Sequence, residues 1–245
     1  MRVQAESLIR GSLDDIRRRI ETPAQRAQWD LRLTFIVHLV DGMSETAAEQ
    51  TVRGVRVITR VEYAVRQGVI GRAIDRALVR PAIGWAAAWS LDRLRLWIED
   101  GIEPRDAARR ALIHLLCGAT VAFVWCWHGL VPKLLGPHPD ELSILIGAGM
   151  PAGWAPAAVQ IIGVAELAFG LAFLPLARRR WPWLLSIALM VGAAAGVLVT
   201  SPHWARAAFG PVTVNLQLAV LAIIGLLTRR NLPSARRSVR SASGA

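Results

Sequence analysis

The sequence predicts a mainly α protein, a four-span transmembrane helix bundle carrying a small N-terminal α+β domain. Three observations carry that reading. Four stretches beyond residue 110 are long and apolar enough to cross a bilayer, charge is segregated rather than spread, and the front of the chain mixes alternating with helical patterns. The 245 residues are 53% hydrophobic with a net charge of +11. Residues 1–110 hold 19 Arg and 15 acidic residues. From 111 to 228 the charged residues are only Lys133, Asp140, Glu141, Glu166, Arg178, Arg179, Arg180 and Arg206, and the last 17 residues carry five Arg and no acid. That division excludes one large soluble domain. The basic excess lies beside apolar spans, where membrane topology accounts for it better than phosphate binding, so nucleic acid is not an expected partner.

The front domain is read over 1–105. Residues 2–9 (RVQAESLI) alternate as a short strand. Ser12 caps a helix with Asp15 at the third position, a capping-box variant, and Thr22-Pro23 starts another. LRLTFIVHLV at 31–40 is strand-like, and TVRGVRVITRVEYAVR at 51–66 reads as one or two further strands. From Ile70 to about Ile98 the pattern turns helical, with Ile74, Leu78, Trp85, Trp89, Leu94 and Trp97 on one broad face. Pro81 should bend or divide that element.

The membrane domain is read over 106–229, with spans at about 111–131, 155–176, 182–200 and 209–228. Each has roughly the 20 residues that a ~30 Å hydrocarbon core requires. Four spans put both chain ends on one side. Eleven Arg (105, 109, 110, 178–180, 229, 230, 236, 237, 240) flank one set of ends, against Lys133 and Arg206 at the other. The positive-inside rule therefore places both termini in the cytoplasm, with 230–245 a basic, disordered tail. Trp125, Trp127, Trp154 and Trp204 mark the outer boundary, and Trp181 and Trp183 the inner one. No apolar run follows the first charge, so a cleavable secretory signal is not expected.

Between the first two spans, Pro139 opens a helix too short to cross, with Asp140 and Glu141 in its first turn. In the third span Gly192 and Gly196 form GAAAG, a surface for helix packing, within the bundle or in a homodimer; Gly163 and Gly170 can serve the same end. Cys117 and Cys126 fall nine residues apart on one helix, about 13 Å and too far to bridge.

Polar residues inside the spans carry the functional signal, because burying them in hydrocarbon is costly unless they are partnered or line a wet cavity. At 1.5 Å per residue, His128, Gln160, Asn215, Gln217 and Glu166 fall between roughly 5 and 16 Å below the outer boundary. They are expected to converge, with Lys133, on a polar pocket open to the outside. Glu166 reads either as a proton carrier or ligand contact, or as a carboxyl hydrogen-bonded to Asn215 or Gln217. His128 is a headgroup contact, a proton donor or an interfacial histidine beside the tryptophans. Lys133, the single lysine, can contact a lipid phosphate or take part in chemistry. His114 should pack or hydrogen-bond; His138 and His203 sit in outer loops, and no histidine spacing suggests a metal site.

WCWHGLVPKLLGPHPDEL, IGVAELAFG and FGPVTVNLQLAVLAIIGLL, in that order, resemble the DoxX-like family of bacterial membrane proteins over about 111–229. The resemblance implies a four-helix inner-membrane bundle, with His128, Pro132, Lys133, Glu166 and Asn215 at the family's polar motifs. It also implies kinship with subunits of quinone-coupled oxidation. In front, TPAQRAQWDLRLTFI and GVRVITRVEYAVRQGVIGRAIDRALVRPAIGWAAAWSLDRLRLWIE resemble the START-like (polyketide cyclase, SRPBCC) helix-grip architecture. Only about ten residues (41–50) separate the two passages, so the central strands are missing and a truncated helix-grip follows. A shallow groove is expected in place of a sealed cavity, with Trp85, Trp89 and Trp97 either lining it or forming core.

No catalytic triad, phosphate-cradling loop or paired catalytic carboxylates appear. The expected function is an accessory or binding protein of the bacterial inner membrane, not catalytic alone. It would meet anionic lipid headgroups and a membrane partner subunit or second copy. The alternatives are a component of a quinone-linked oxidoreductase, with quinone the one candidate cofactor, and lipid or hydrophobic-ligand binding through the front domain.

Overall fold

The computed structural model describes residues 1–32, 42–64, 68–206 and 210–243. The chain divides into two compact units, one of residues 1–110 with 231–245 and one of 111–230.

The front unit is built on a four-stranded antiparallel sheet of order β2-β3-β1-β4. Its strands are β1 (Arg2–Ile9), β2 (Gly42–Thr51), β3 (Gly54–Tyr63) and β4 (Val239–Ser243). Strict alternation makes β1 one-sided: Val3, Ala5, Ser7 and Ile9 are buried while Arg2 and Leu8 are exposed. β2 falls where the sequence promised only a linker. Its residues, GMSETAAEQT, lack an apolar face, and a two-residue turn pins it to β3 instead. Gly54 closes that turn at φ +140°, and a Cβ there would come 2.8 Å from the Ile9 carbonyl oxygen, so only glycine fits. From residue 33 on, the strand expected over 31–40 lies outside the described residues.

Helices α1 (Leu13–Glu21) and α2 (Pro23–Trp29) follow β1. Ser12 stands at the α1 N-cap, but its side chain makes no capping bond, and Asp15 pairs with Arg19 one turn on. The expected capping box is therefore absent. Trp29 is fully buried and donates from Nε1 to the Arg19 carbonyl at 2.9 Å. It joins Ile9, Ile16, Val57, Leu91 and Leu94 in the core between sheet and helices.

The long helical element runs as α3 (Gly68–Ile74), a π-helical turn (Asp75–Val79) and α4 (Arg80–Asp100). Pro81 does divide it in this sense. A π turn takes one more residue than an α turn, with Arg80 N–H donating to the Asp75 carbonyl, just before the proline whose missing N–H would leave a gap. The single face expected along this element is corrected. Ile74, Leu78 and Trp85 are exposed, and the first half buries Gly71, Asp75, Ile83 and Gly84 instead. Trp89 and Trp97 pack against the core, with the guanidinium of Arg93 5.0 Å from the Trp89 ring and that of Arg19 4.4 Å from the Trp97 ring. Of the three tryptophans considered for a groove, only Trp85 is open.

Asp75, in the π turn, is 2% exposed, accepting from the Tyr63 hydroxyl at 2.5 Å and from Arg80 at 3.2 Å. Burial, and next the bond to Asp75, pushes the Tyr63 hydroxyl up to about 12. A raised folded value favours the neutral form, so this contribution is full below the ordinary value of 10.0 and is lost as pH climbs through 12. Thermal melts of the front unit across that window should show a destabilisation of roughly 2 to 3 kcal/mol, by the usual conversion of pKa shift to free energy. Tyr63→Phe should flatten it.

The tail is a second correction. Residues 230–245 were expected to be disordered, yet β4 pairs with β1 from Glu6 opposite Val239 to Arg2 opposite Ser243. The cause is an anchor. Asp92, fully buried on α4, accepts from the Ser234 backbone N–H at 2.7 Å and from Arg95 Nε at 2.7 Å, and the Ser238 hydroxyl donates to the Ala88 carbonyl at 3.3 Å. Asp92→Ala leaves a buried N–H without its acceptor, worth about 1–3 kcal/mol. Amide exchange across Val239–Ser243 should accelerate roughly ten- to a hundredfold by that figure; an unchanged rate would show that strand pairing alone holds the tail.

In the membrane unit, α5 (Pro104–Gly129) runs on through a π turn (Leu130–Leu134), and the short α6 (Pro139–Gly147) follows. Then come α7 (Ala155–Leu176), α8 (Trp181–Thr200) and α9 (Pro211–Thr228). Among the described residues four helices are long and apolar enough to cross a membrane, bounded at Pro104–Leu134, Ala155–Leu176, Trp181–Thr200 and Pro211–Thr228. Leu115, Phe123, Ile161, Leu171, Val199 and Leu227 are more than half exposed, a surface that suits lipid and not water.

Inside, Trp183, read from the sequence as an inner-boundary tryptophan, is turned into the bundle. It is fully buried, donates to the Ala177 carbonyl at 2.7 Å and meets Phe173 edge-on at 4.8 Å. Trp125 is likewise interior, donating to the Ser186 hydroxyl at 3.0 Å, whereas Trp127, Trp154 and Trp181 are exposed. His114 hydrogen-bonds the Gly225 carbonyl at 2.9 Å. Gly192 and Gly196 have open space where a side chain would go, so among the described residues no helix of this unit packs on them. Gly163 and Gly170 are the packing glycines. A Cβ on Gly170 would lie 2.6 Å from Cys126 Sγ and 2.9 Å from the Ala122 carbonyl.

Candidate functional site

Two glycines set the site. A Cβ on Gly129 would sit 2.6 Å from the Gly163 carbonyl, and one on Gly163 would sit 2.8 Å from Lys133 Cβ, so α5 and α7 cross backbone to backbone. Four residues past Gly129 stands Lys133, and three past Gly163 stands Glu166. Their separations put them one turn along facing helices, where Lys133 Nζ meets Glu166 Oε2 at 2.9 Å. The contact is an ion pair without the alignment of a good hydrogen bond.

Lys133 lies in the π turn that carries Pro132, closed by Leu135 N–H donating to the Leu130 carbonyl at 2.9 Å. It is 5% exposed. Its ammonium also reaches Glu141 Oε1 on α6 at 3.3 Å and the His128 carbonyl at 3.4 Å. The ammonium thus sits among two carboxylates and one carbonyl that accepts from it. The lipid-phosphate contact weighed for Lys133 would have to displace carboxylates that already hold it, and one lysine beside two glutamates leaves the cluster net acidic.

Beside this cluster lies a cavity of about 400 Å³, lined by residues from all four long helices and α6. Of the sequence candidates, His128, Lys133, Glu166 and Asn215 line it; Gln160 and Gln217 do not and are exposed on outer faces. Helix rotation explains the split. Val159 and Asn215 face the cavity, and a step of one or two residues turns Gln160 and Gln217 away by roughly 100° and 200°. Glu166 takes Lys133 as its partner in place of the expected Asn215 or Gln217. Asp140, Glu141 and Trp204 line the cavity too, and sequence reasoning missed all three. The available signal was the Gly136–Pro139 turn, which folds α6 back over Lys133. The remaining wall is aliphatic and thioether, including Ile144, Ile162, Met190 and Val197. Among the described residues no group of three or more His, Cys, Asp or Glu is placed to hold a metal ion.

Residues 122–223 match the DoxX-like family. The match lies wholly within the membrane unit and spans α5 to α9, including every cavity residue named above. The chain is also similar to an uncharacterized membrane protein, YndG, of Bacillus subtilis (strain 168), 40% identical over 72 residues. That stretch is 29% of this chain and 27% of YndG, so the chain spans about a quarter of its curated relative. No solved structure matches. The DoxX-like likeness and the four apolar helices make this a multi-pass membrane protein.

Proposed function

We propose that the DoxX-like bundle is a binding or accessory protein that holds a small amphipathic molecule in the cavity beneath α6. Its head would be uncharged or cationic, hydrogen-bonded by His128, Asn215 and the Lys133–Glu166 pair, with its apolar part along the aliphatic wall. The observation that carries this reading is the joining of a net acidic cluster to an apolar wall in one cavity of about 400 Å³, within the size range of small-molecule pockets. Native mass spectrometry of the detergent-extracted protein tests it. A small molecule should be retained by the wild type and lost on Ile162→Trp, which fills the cavity; retention in both, or in neither, overturns the reading.

The cavity opens outward and both termini lie in the cytoplasm in this proposal, supported by the eleven flanking arginines and by the sheet that joins the two chain ends. A bacterial inner membrane is the corresponding location. Gln160, Gln217 and the open Gly192–Gly196 face of α8 are polar or small positions left for a partner subunit or a second copy.

A second reading is a quinone-linked oxidoreductase component, favoured by His128 and Glu166 lining the same cavity, where they can pass a proton. Quinol titration of membranes carrying Glu166→Gln should then show slowed turnover, and unchanged rates count against it. The front unit, with α4 laid on an antiparallel sheet, supports a shortened helix-grip and a weaker hydrophobic-ligand reading, centred on exposed Trp85.

A further inference from the structure

The π turn at Asp75–Val79 does more than accommodate a proline. At 100° per residue an uninterrupted α-helix would carry Leu78 about 80° round from Ile70 and leave Trp85 about 20° from Ile74. The wider π turn takes up part of the Leu78 drift, and Ile70, Ile74, Leu78 and Trp85 share one outer face, with Val69 at its edge. These five side chains are between 47% and 74% exposed. No other described part of the front unit carries so long a run of exposed large apolar groups on one element.

Charge on the same segment is one-sided. Arg72 and Arg76 are exposed within the stripe's length. Asp75, the one acid between Gly68 and Leu91, is buried and bound by Tyr63 and Arg80, so it offers nothing negative to the outside. A convex helix with an apolar ridge, an exposed tryptophan and flanking arginines is the pattern of a helix lying in the headgroup layer. The same chain enters its first span shortly after α4 ends, so a bilayer surface is always at high effective concentration.

We propose that α3, the π turn and the start of α4 form an interfacial segment that rests on an anionic lipid surface. Ile70, Ile74, Leu78 and Trp85 enter the acyl boundary while Arg72 and Arg76 meet phosphate groups. The occupant is the bilayer, because the exposed apolar run is flanked by exposed Arg72 and Arg76, whose charge is complementary to acidic phospholipid. The inference is independent of the cavity and its ligand.

The test uses the full chain in vesicles of phosphatidylcholine with or without phosphatidylglycerol, in a Cys117→Ala/Cys126→Ala background. A nitroxide attached at Ile70→Cys should be relaxed by oxygen and protected from a water-soluble nickel chelate when phosphatidylglycerol is present. Adding Ile74→Glu and Leu78→Glu should raise nickel accessibility several-fold, with far-UV circular dichroism unchanged because both positions are exposed. High nickel accessibility in anionic vesicles without those changes would overturn the proposal, by showing that the ridge faces water. Protection from both reagents would also overturn it, by showing that protein, from this chain or a second copy, covers the ridge.

Discussion

Gly225→Leu should abolish assembly of the membrane unit. A Cβ on Gly225 would fall within the ring system of Trp183. That ring has nowhere to go. Its Nε1 is bonded to the Ala177 carbonyl, Phe173 stands edge-on against it at 4.8 Å, and His114, 5.1 Å away, is itself bonded to the Gly225 carbonyl. Overpacking a well-packed core costs about 1–3 kcal/mol, and more when no side chain can yield. Size-exclusion chromatography in mild detergent should show aggregation or loss of the variant. Gly192→Leu, whose added side chain meets open space, should remain monodisperse. Trp183→Leu added to Gly225→Leu should recover part of the material. A monodisperse Gly225→Leu protein with an unshifted melt would mean that α8 and α9 do not meet through this pair.

Lys133→Met is the second large effect. It leaves Glu166, and to a lesser extent Glu141, without the cation that holds them in a largely buried place. Removing one partner of a buried ion pair costs about 3–5 kcal/mol, whereas replacing both with apolar groups is near neutral or stabilising. Thermal unfolding in detergent should therefore show a large loss for Lys133→Met and a substantial recovery in Lys133→Met/Glu166→Leu. The double-mutant cycle isolates the coupling. Additive losses would indicate that the two side chains do not act as a pair.

The spans were legible because hydrocarbon imposes a single rule, about 20 apolar residues per crossing, and Ala155–Leu176 and Trp181–Thr200 obey it without ambiguity. Height along the bundle was legible too, since Val159 and Asn215, close in sequence to Gln160 and Gln217, line the cavity. Azimuth was not. Counting residues places Gln160 and Gln217 at the height of the cavity, but nothing local tells which side of a helix the neighbours occupy, and both turn outward. Trp183 sits in a boundary position by sequence; what draws it inside is Gly225, forty-two positions on, a pairing no window of sequence reveals. The front unit was harder for a related reason. β2 is a polar strand held by its hairpin and β4 a polar strand held by Asp92, so neither announces itself by alternation. Of the two passages that carry the helix-grip resemblance, the second lies in β3 and the long helical element while the first begins on the short α2, and one edge strand comes from the far end of the chain.

That closing strand constrains how the protein can be made. β1 is translated before the four apolar helices and its edge partner β4 after them. Until then the β1 edge is bare, an invitation to wrong pairings that a nascent-chain chaperone would need to shield. Completion of the sheet also demands an even number of crossings, since a skipped or inverted segment strands β4 in the opposite compartment. Pairing of β4 with β1 thus requires that the two strands end on the same side of the bilayer.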